Sequence, residues 1–305
     1  MLDTRTPSVA RAYDHLLGGE ASFAADRALA GRLVALYPQL QDTLVSSRRQ
    51  VADAVARIAR QGVDQYLDVG AGLPTRPSTH TTARALLPAA RVAYIDRDPV
   101  VVTHATDLVP TGVRYQAGDL TEPEALLATL GYRRASTTPA APTTRAASIT
   151  LAASTTPAAS ITPAAPATHT RSATPARANP SGAAPSAHVP PVALEPPVFI
   201  DFARPVCLVL ALIVQALEPG TARAVVGVLI KALAPGSYLV ATAGAGGAGR
   251  LPDSLWPAAA TEADLAAFFG GLDLLPPGVT RHGDVLCGVG VKPYPRPHDP
   301  GRPRG

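Results

Sequence analysis

Short apolar runs, each ending at a polar or glycine residue, recur along the chain and predict the strands of a sheet. The clearest four lie at residues 66–69, 91–96, 113–117 and 204–214. Their nearly continuous hydrophobicity is typical of parallel strands that are buried on both faces. The segment 222–233 is amphipathic and runs into Pro235-Gly236, which should end a helix before a fifth apolar strand starts. The pattern therefore predicts an α/β fold.

Two extended runs near the C-terminal end, 272–275 and 284–291, leave no room for a helix between them. We expect them to form a hairpin-like antiparallel pair that closes the sheet. Before this pair, Thr261 and Asp264 form the signature of a helix N-terminus. The predicted fold is thus a doubly wound sheet, mostly parallel, with an antiparallel C-terminal strand.

The first predicted strand delivers an acid, Asp68, into a loop with two closely spaced glycines, Gly70 and Gly72. Small residues here let the backbone approach a ligand closely, and glycine adopts a positive φ at little cost. Because the acid precedes the glycines, the loop suits a ligand with a positive amine or sulfonium better than a bare pyrophosphate.

Acids also follow the next two predicted strands. Asp96 ends the second strand, where a carboxylate can accept hydrogen bonds from the hydroxyls of a ribose. Asp119 lies just past the third strand, where its carboxylate can accept a hydrogen bond from the exocyclic amino group of an adenine. Asp98 precedes Pro99 and is interpreted instead as the cap of a helix. Three acids past three strands predict one ligand crevice.

The order of these motifs resembles that of the actinobacterial-type S-adenosylmethionine-dependent methyltransferases once catalogued only as a domain of unknown function. The resemblance rests on residues 7–19, 23–27, 67–75, 96–100, 119–120, 201–206 and 233–239. It implies the Rossmann-like fold of class I methyltransferases and S-adenosylmethionine as cofactor. The implied cofactor contacts are Asp68, Gly70, Ala71, Gly72, Asp96, Arg97, Asp119, Leu120, Tyr13 and Gly19.

Three places depart from the usual pattern of that family. Residues 20–22 are Glu-Ala-Ser where the family tends to have Lys-Asp-Asn, residues 215–216 are Gln-Ala where it has His-Phe, and Thr81 replaces an expected Glu. These changes remove or reverse polar groups near the expected pocket but leave the glycine loop intact. A non-catalytic protein that binds S-adenosylmethionine or its demethylated product is therefore the alternative to a methyltransferase acting on a small-molecule acceptor.

A nicotinamide-dependent dehydrogenase is a further alternative, which the loop sequence disfavours. Such an enzyme would carry a third glycine where this chain has Thr75, and Pro74 would stiffen the turn. In methyl transfer the leaving group is already activated. The protein then mainly has to align the two reactants and to exclude water. The sequence identifies no catalytic residue or general base, and it predicts no oligomeric state.

The composition of the 305-residue chain fits one α/β domain with additions. Cys207 and Cys287 each lie in an apolar run and are expected to be buried free thiols, and no metal-ligand spacing is present. The N-terminus lacks a basic segment followed by a long apolar one, so a cytoplasmic protein without membrane contact is expected.

The segment 134–196 consists almost entirely of Ala, Thr, Pro and Ser with partial repeats, and it holds +3 of the formal net charge of +4. The rest of the chain therefore has no basic footprint for nucleic acid. Such a composition cannot bury enough apolar surface to offset its ordering entropy. We expect a disordered insert within a domain at 63–293, followed by a disordered tail at 294–305.

Residues 1–62 are predicted to form helices that precede the sheet and could cover the ligand as a lid. The first helix, at residues 8–17, ends at Gly18-Gly19 and makes Tyr13 and His15 candidate pocket residues. Alternatively, Tyr13 only packs against the domain. The remaining histidines considered, His80, His104 and His282, are expected at the surface or in helix caps.

Overall fold

The predicted apolar strands form one mixed sheet in the computed structural model, which describes residues 4–133, 199–246, 251 and 259–295. All of these residues fall in one compact unit, residues 1–134 and 195–305. The predicted insert at 134–196 lies outside the described residues, as does the predicted tail from residue 296 onward.

The strands are β1 (Gln65–Val69), β2 (Arg91–Asp96), β3 (Val113–Ala117), β4 (Cys207–Ala211), β5 (Tyr238–Gly244), β6 (Asp273–Leu274), β7 (Thr280–His282) and β8 (Val285–Val291). The α-helices are α1 (Val9–Leu16), α2 (Ala24–Leu36), α3 (Leu40–Arg60), α4 (Thr79–Leu86), α5 (Pro99–Thr106), α6 (Pro123–Thr129), α7 (Pro219–Ala232) and α8 (Glu262–Ala266). Within the described ranges, no helix combines the length and the apolarity that a membrane span requires.

The sheet runs in the order β3-β2-β1-β4-β5-β8-β6, and β7 also pairs with β8. Strands β1 to β5 pair in parallel, whereas β8 is antiparallel to β5, β6 and β7. This confirms the predicted doubly wound sheet with an antiparallel C-terminal strand. The chain moves outward from β1 to β3 and then returns to β4 on the other side of β1. At such a reversal, the loops after the two central strands separate and leave a crevice.

Side chains of β1 alternate between two apolar layers. Leu67 and Val69 belong to the core that α6 and α7 cover, and Tyr66 belongs to the core under α3. This alternation follows from the two-residue repeat of a strand. Because both faces are covered, the strand is mostly apolar, and its two buried polar residues are Gln65 at its start and Asp68 next to its end.

Helix α3 is a layer of this sandwich and not a part of a separate lid. Its residues Val51, Val55 and Ile58 are buried in the same core as Tyr66 and Val209. Their spacing of three or four residues places them on the helix face that covers the sheet. The structure therefore differs from the predicted division at residue 62, because the central strands need α3 to bury them. Of the three helices described within residues 4–62, α1 and α2 lie outside the sandwich.

Helices α1 and α2 pack on the start of α3 in a small core of their own. It includes Ala12 and Leu16 of α1, Leu33 of α2 and Leu44 of α3. The predicted helix at residues 8–17 is confirmed, since Ser8 and Leu17 flank α1 directly.

A buried ion pair joins α1 to the first turn of α2. Nε of Arg11 lies 2.8 Å from Oδ2 of Asp26. The backbone N–H groups of Ser8 and Phe23 donate to the same carboxylate, each at 2.8 Å. Desolvation raises the pKa of Asp26, but these hydrogen bonds and the Arg11 charge outweigh it and lower the pKa overall. The pair therefore fixes the two helices to each other in their charged forms.

We predict that Asp26→Ala lowers the free energy of unfolding by about 3 kcal/mol, because it leaves the buried Arg11 charge without its carboxylate. Urea denaturation at pH 7 measures the change. The control is Asp42→Ala, at an exposed position in the first turn of α3, which should change the same quantity by less than about 0.5 kcal/mol. A similar small effect of both substitutions would contradict the prediction.

Candidate functional site

A cavity of about 380 Å³ lies at the switch point between β1 and β4. The loop after β1 forms one side of it and the loop after β4 another, while α1 and α3 close the remaining sides. Its volume falls in the range of small-molecule sites. The structure therefore has a crevice with helical cover at this point, and of the three strand-end acids Asp68 and Asp96 line it.

The glycine loop is shaped for close approach of its backbone. Gly70 has φ +69° and Gly72 has φ +60°, a region that other residues seldom adopt. A Cβ on Gly70 would lie only 2.5 Å from Cγ1 of Ile213, which packs directly against the loop. Glycine at this position is therefore required by both the backbone conformation and the available space.

Asp96 holds this loop in place. Its Oδ2 accepts the N–H of Gly72 at 2.9 Å, and its Oδ1 accepts the N–H of Asp98 at 3.0 Å. The hydroxyl of Tyr115 donates to the carbonyl of Gly72 at 3.0 Å. Each carboxylate oxygen of Asp96 keeps a further lone pair with which it can accept a ligand hydroxyl. Asp96 thus braces the loop and lines the cavity as well.

Asp68 is the most unusual group of the site, since its side chain is only 3% exposed. Its Oδ2 accepts a hydrogen bond from the Thr79 hydroxyl at 2.6 Å. Desolvation raises the pKa of Asp68 to about 6, although the Thr79 bond and the nearby Arg48 charge act in the opposite direction. Among the described residues no cation forms an ion pair with it. A buried carboxylate in this state favours a cationic ligand group.

Arg48 of α3 is a cavity residue that the sequence analysis missed. One of its terminal nitrogens donates to the carbonyls of Ala71 and Leu73, at 3.4 and 3.3 Å. No carboxylate in the described part of the chain lies within ion-pair distance of it. In the sequence Arg48 is one of several arginines on α3, and no local motif distinguishes it.

The predicted contacts divide into those that line the cavity and those that do not. Asp119 follows β3 outside the lining, and its Oδ1 accepts the N–H and hydroxyl of Thr121. Leu120 is buried in the core next to α6, and Gly19 also lies outside the lining. The contacts that line the cavity are Tyr13, Asp68, Gly70, Ala71, Gly72, Asp96 and Arg97.

Gly19 makes room for another side chain. A Cβ there would fall about 2 Å from the carboxylate of Asp14 on α1. That carboxylate accepts the hydroxyl of Thr75, from the glycine loop, and the N–H of Ala21 at 3.1 Å. Asp14 therefore connects α1 to the cavity wall, and Gly19 permits its placement.

Tyr13 and His15 of α1 lie on different sides of the helix. Tyr13 lines the cavity and also packs against the core of the N-terminal helices, so both interpretations of this residue apply. His15 is exposed and outside the cavity lining. Two residues correspond to a rotation of about 200° around a helix, so both side chains cannot face the cavity. The prediction of His15 as a pocket residue was wrong.

His80 lies in the first turn of α4 and is buried, so of its two predicted settings, the surface and a helix cap, the surface is wrong. Its Nδ1 lies 2.9 Å from the hydroxyl of Tyr94 and 3.1 Å from that of Ser78, the cap of α4. Desolvation lowers its pKa to about 4, so the ring is neutral at pH 7. Of the other two histidines, His282 is exposed and His104 is half-buried.

Two of the three departures from the family pattern have structural roles outside the cavity. Thr81 completes the capping box of α4, since its hydroxyl accepts the N–H of Ser78 at 3.0 Å. Gln215 accepts the N–H of Gly244 at 2.6 Å and so fixes the end of β5. Residues 20–22 also lie outside the lining, whereas Ala216 belongs to it.

A larger groove of about 710 Å³ runs along α3 on the sheet face near β5 and β8. It holds neither the glycine loop nor the strand-end acids. The 380 Å³ cavity is therefore the better candidate site, although it is smaller. In the described part of the chain, no group of His, Cys, Asp and Glu is arranged to hold a metal ion.

A family model described as S-adenosyl methyltransferase matches residues 1–136 and 195–285. The chain is similar to the structure of a putative methyltransferase from Thermobifida fusca YX, with 27% identity, a TM-score of 0.66 and coverage of 96% of this chain and 97% of that one. It is also similar in fold to a DUF574 family protein from Streptomyces avermitilis MA-4680, with 23% identity, a TM-score of 0.68 and coverage of 96% and 100%. No curated protein matches the sequence.

We predict that Asp68→Asn stabilises the ligand-free protein at pH 8 by about 1–3 kcal/mol, because it removes a buried charge and keeps the acceptor for Thr79. The Asp68 carboxyl has a pKa of about 6 in the folded protein and of about 3.8 in the unfolded chain. The folded protein therefore binds the proton of this carboxyl more tightly than the unfolded chain does. The wild type should therefore lose stability relative to the variant as the pH rises through that window.

Urea denaturation from pH 4 to pH 8 measures the difference. A variant less stable than the wild type at pH 8 would mean that the carboxylate is a structural support and not a strained site for a cation.

Proposed function

Because the chain belongs to the family of S-adenosyl methyltransferases, we propose that it transfers the methyl group of S-adenosylmethionine to a small-molecule acceptor held in the cavity between β1 and β4. The observation that carries this proposal is the buried carboxylate of Asp68 beside a glycine loop with no room for a Cβ at Gly70. Such a site fits a positively charged ligand, whose charge would offset that of the buried carboxylate while the ligand packs against the backbone of the glycine loop.

The methionine end of the cofactor fits between Asp68 and Arg48. Its ammonium would neutralise the Asp68 carboxylate, which has no cationic partner among the described residues. Its carboxylate would accept hydrogen bonds from Arg48, whose observed bonds to the loop carbonyls are long. In an amino-acid group the ammonium and the carboxylate are attached to the same carbon. The site offers Asp68 for the first and Arg48 for the second.

The ribose is assigned to Asp96 and the adenine to the end of β3. Asp96 lines the cavity and keeps lone pairs for two ribose hydroxyls. Asp119 and Leu120 lie outside the cavity lining. The adenine would therefore extend from the cavity towards these two residues. Desolvation raises the pKa of Asp119, but the bonds from Thr121 lower it overall. Asp119 is therefore ionised at neutral pH and can accept an amino group.

When bound, S-adenosylmethionine would supply a methyl group that is activated by the sulfonium. As the acceptor forms its bond to this methyl group, the bond between methyl and sulfur would break and its electron pair would stay on sulfur. The chain contributes alignment and the exclusion of water. Tyr13, Asp14 and Leu17 place α1 over the cavity, so α1 and α2 are proposed as its lid. An acceptor that must lose a proton would release it to solvent or to a neighbouring group.

We propose an enzyme in preference to a non-catalytic binder. The non-catalytic alternative depended on three departures from the family pattern. Thr81 and Gln215 bond to backbone N–H groups at element ends, and residues 20–22 lie outside the cavity lining. Ala216 is the departure that lines the cavity, and Asp68 and the glycine loop line it as well. We therefore keep the enzyme as the proposal.

We predict that calorimetry detects binding of S-adenosylmethionine and S-adenosylhomocysteine but not of NAD. Asp96→Ala should weaken the binding by roughly 1–3 kcal/mol, because a ribose hydroxyl loses its acceptor and Gly72 loses its brace. Asp107→Ala serves as control, since Asp107 is exposed on the next helix end and outside the cavity lining. Equal affinities of wild type and Asp96→Ala would refute the placement of the ribose.

We also predict that Arg48→Gln weakens S-adenosylhomocysteine binding roughly tenfold or more, as for a hydrogen bond to a charged group. It should leave the affinity for 5′-methylthioadenosine unchanged, because that compound has no amino-acid end. Arg49→Gln, at the exposed neighbouring position, is the matched control. An equal loss for both ligands would show that Arg48 acts only by supporting the glycine loop.

A further inference from the structure

The cavity has one charged wall and one apolar wall. The charged side chains that line it lie on or beside the glycine loop, β2 and α3: Arg48, Asp68, Asp96, Arg97 and Asp98, with Asp14 on α1. The apolar wall combines Tyr13, Leu17, Leu44 and Leu212, which share one apolar cluster, and continues through Ile213, beside Gly70, to Ala216. The cofactor proposed above occupies the charged wall and leaves the apolar wall to the acceptor.

Asp14 is the acid closest in sequence to the apolar wall, and its carboxylate already has partners. One oxygen accepts the Thr75 hydroxyl, and the other accepts the N–H of Ala21. Gly19 leaves space for this arrangement, because a Cβ there would overlap the carboxylate. Asp14 is thus committed to holding α1 on the glycine loop.

Tyr13 supplies the polar group of the apolar wall. Burial raises its pKa to about 12, so the phenol stays protonated at neutral pH. Its hydroxyl has no hydrogen-bond partner in the part of the chain that the structure describes. It can therefore donate one hydrogen bond to a bound molecule.

The apolar wall favours uncharged groups over ionised groups of a bound molecule. An ionised group placed against Leu17, Leu44 and Leu212 would lose its hydration without gaining a partner, at a cost of several kcal/mol. An apolar ring in the same place gains about 25 cal/mol for each Å² of apolar surface that it removes from water.

We propose that the methyl acceptor is an uncharged, largely apolar small molecule that lies against this wall and accepts one hydrogen bond from Tyr13. This inference rests on the proposed function, since it assigns the charged wall to the cofactor.

The test compares benzamide, benzoate and benzamidinium on the protein saturated with S-adenosylhomocysteine. The three probes have nearly the same planar shape and differ in charge, so shape does not determine the outcome. Ligand-observed NMR titration should give benzamide at least tenfold tighter binding than either ion. Binding of an ion as tight as that of benzamide, or no binding of benzamide at millimolar concentration, overturns the proposal.

Two variants sharpen the test. Tyr13→Phe keeps the ring and should weaken benzamide binding about threefold to tenfold, as for one neutral hydrogen bond. Ala216→Asp, at an exposed position of the same wall, should reverse the preference towards benzamidinium. Ala216→Asn has the same shape without the charge and should keep the preference for benzamide. Unchanged preference in Ala216→Asp would mean that the probes bind elsewhere and would overturn the proposal.

The two proposals fail differently. A protein that does not bind S-adenosylhomocysteine contradicts the proposed function itself. A protein that binds S-adenosylhomocysteine but shows no preference for benzamide contradicts only the assignment of the acceptor.

Discussion

Two carboxylates buried at the ends of adjacent parallel strands are the constraint on which this site depends. Asp68 and Asp96 end neighbouring strands, which pair in register from Gln65 with Arg91 onward. The sheet thus brings both acids to one edge and removes them from water. The N–H groups of Gly72 and Asp98 bond to Asp96 and partly offset its desolvation, which still raises the pKa of this carboxyl. Asp68 is not compensated in this way, so the fold keeps one carboxylate that a cationic ligand can stabilise.

Helix α3 connects the stability of the sheet to the shape of the cavity. Arg48 and Val55 are seven residues apart, about two helical turns, and therefore lie on nearly the same face. Val55 is buried on the sheet, while Arg48 lines the cavity. The packing that fixes the helix on the strands therefore also fixes the position of the guanidinium.

The sequence predicted the strands and the glycine loop because their signals are local. Continuous apolar runs mark β1 to β5, and Asp98 followed by Pro99 marks the start of α5. The placement of Arg48 and the burial of His80 depend on which helix face meets the sheet, and no local motif records that. The boundary at residue 62 was misplaced for the same reason, since amphipathicity shows that a helix has a partner but not which one.

The two polar links of α1 differ in how easily water can replace them. The pair of Arg11 and Asp26 is fully enclosed, so parting α1 from α2 would bring two charges into contact with solvent at the same time. The bonds from Asp14 to Thr75 and Ala21 border the cavity, where water can take over each partner as it is released. Of the two links, the ion pair therefore holds α1 to α2 more firmly than the Asp14 bonds hold α1 to the glycine loop.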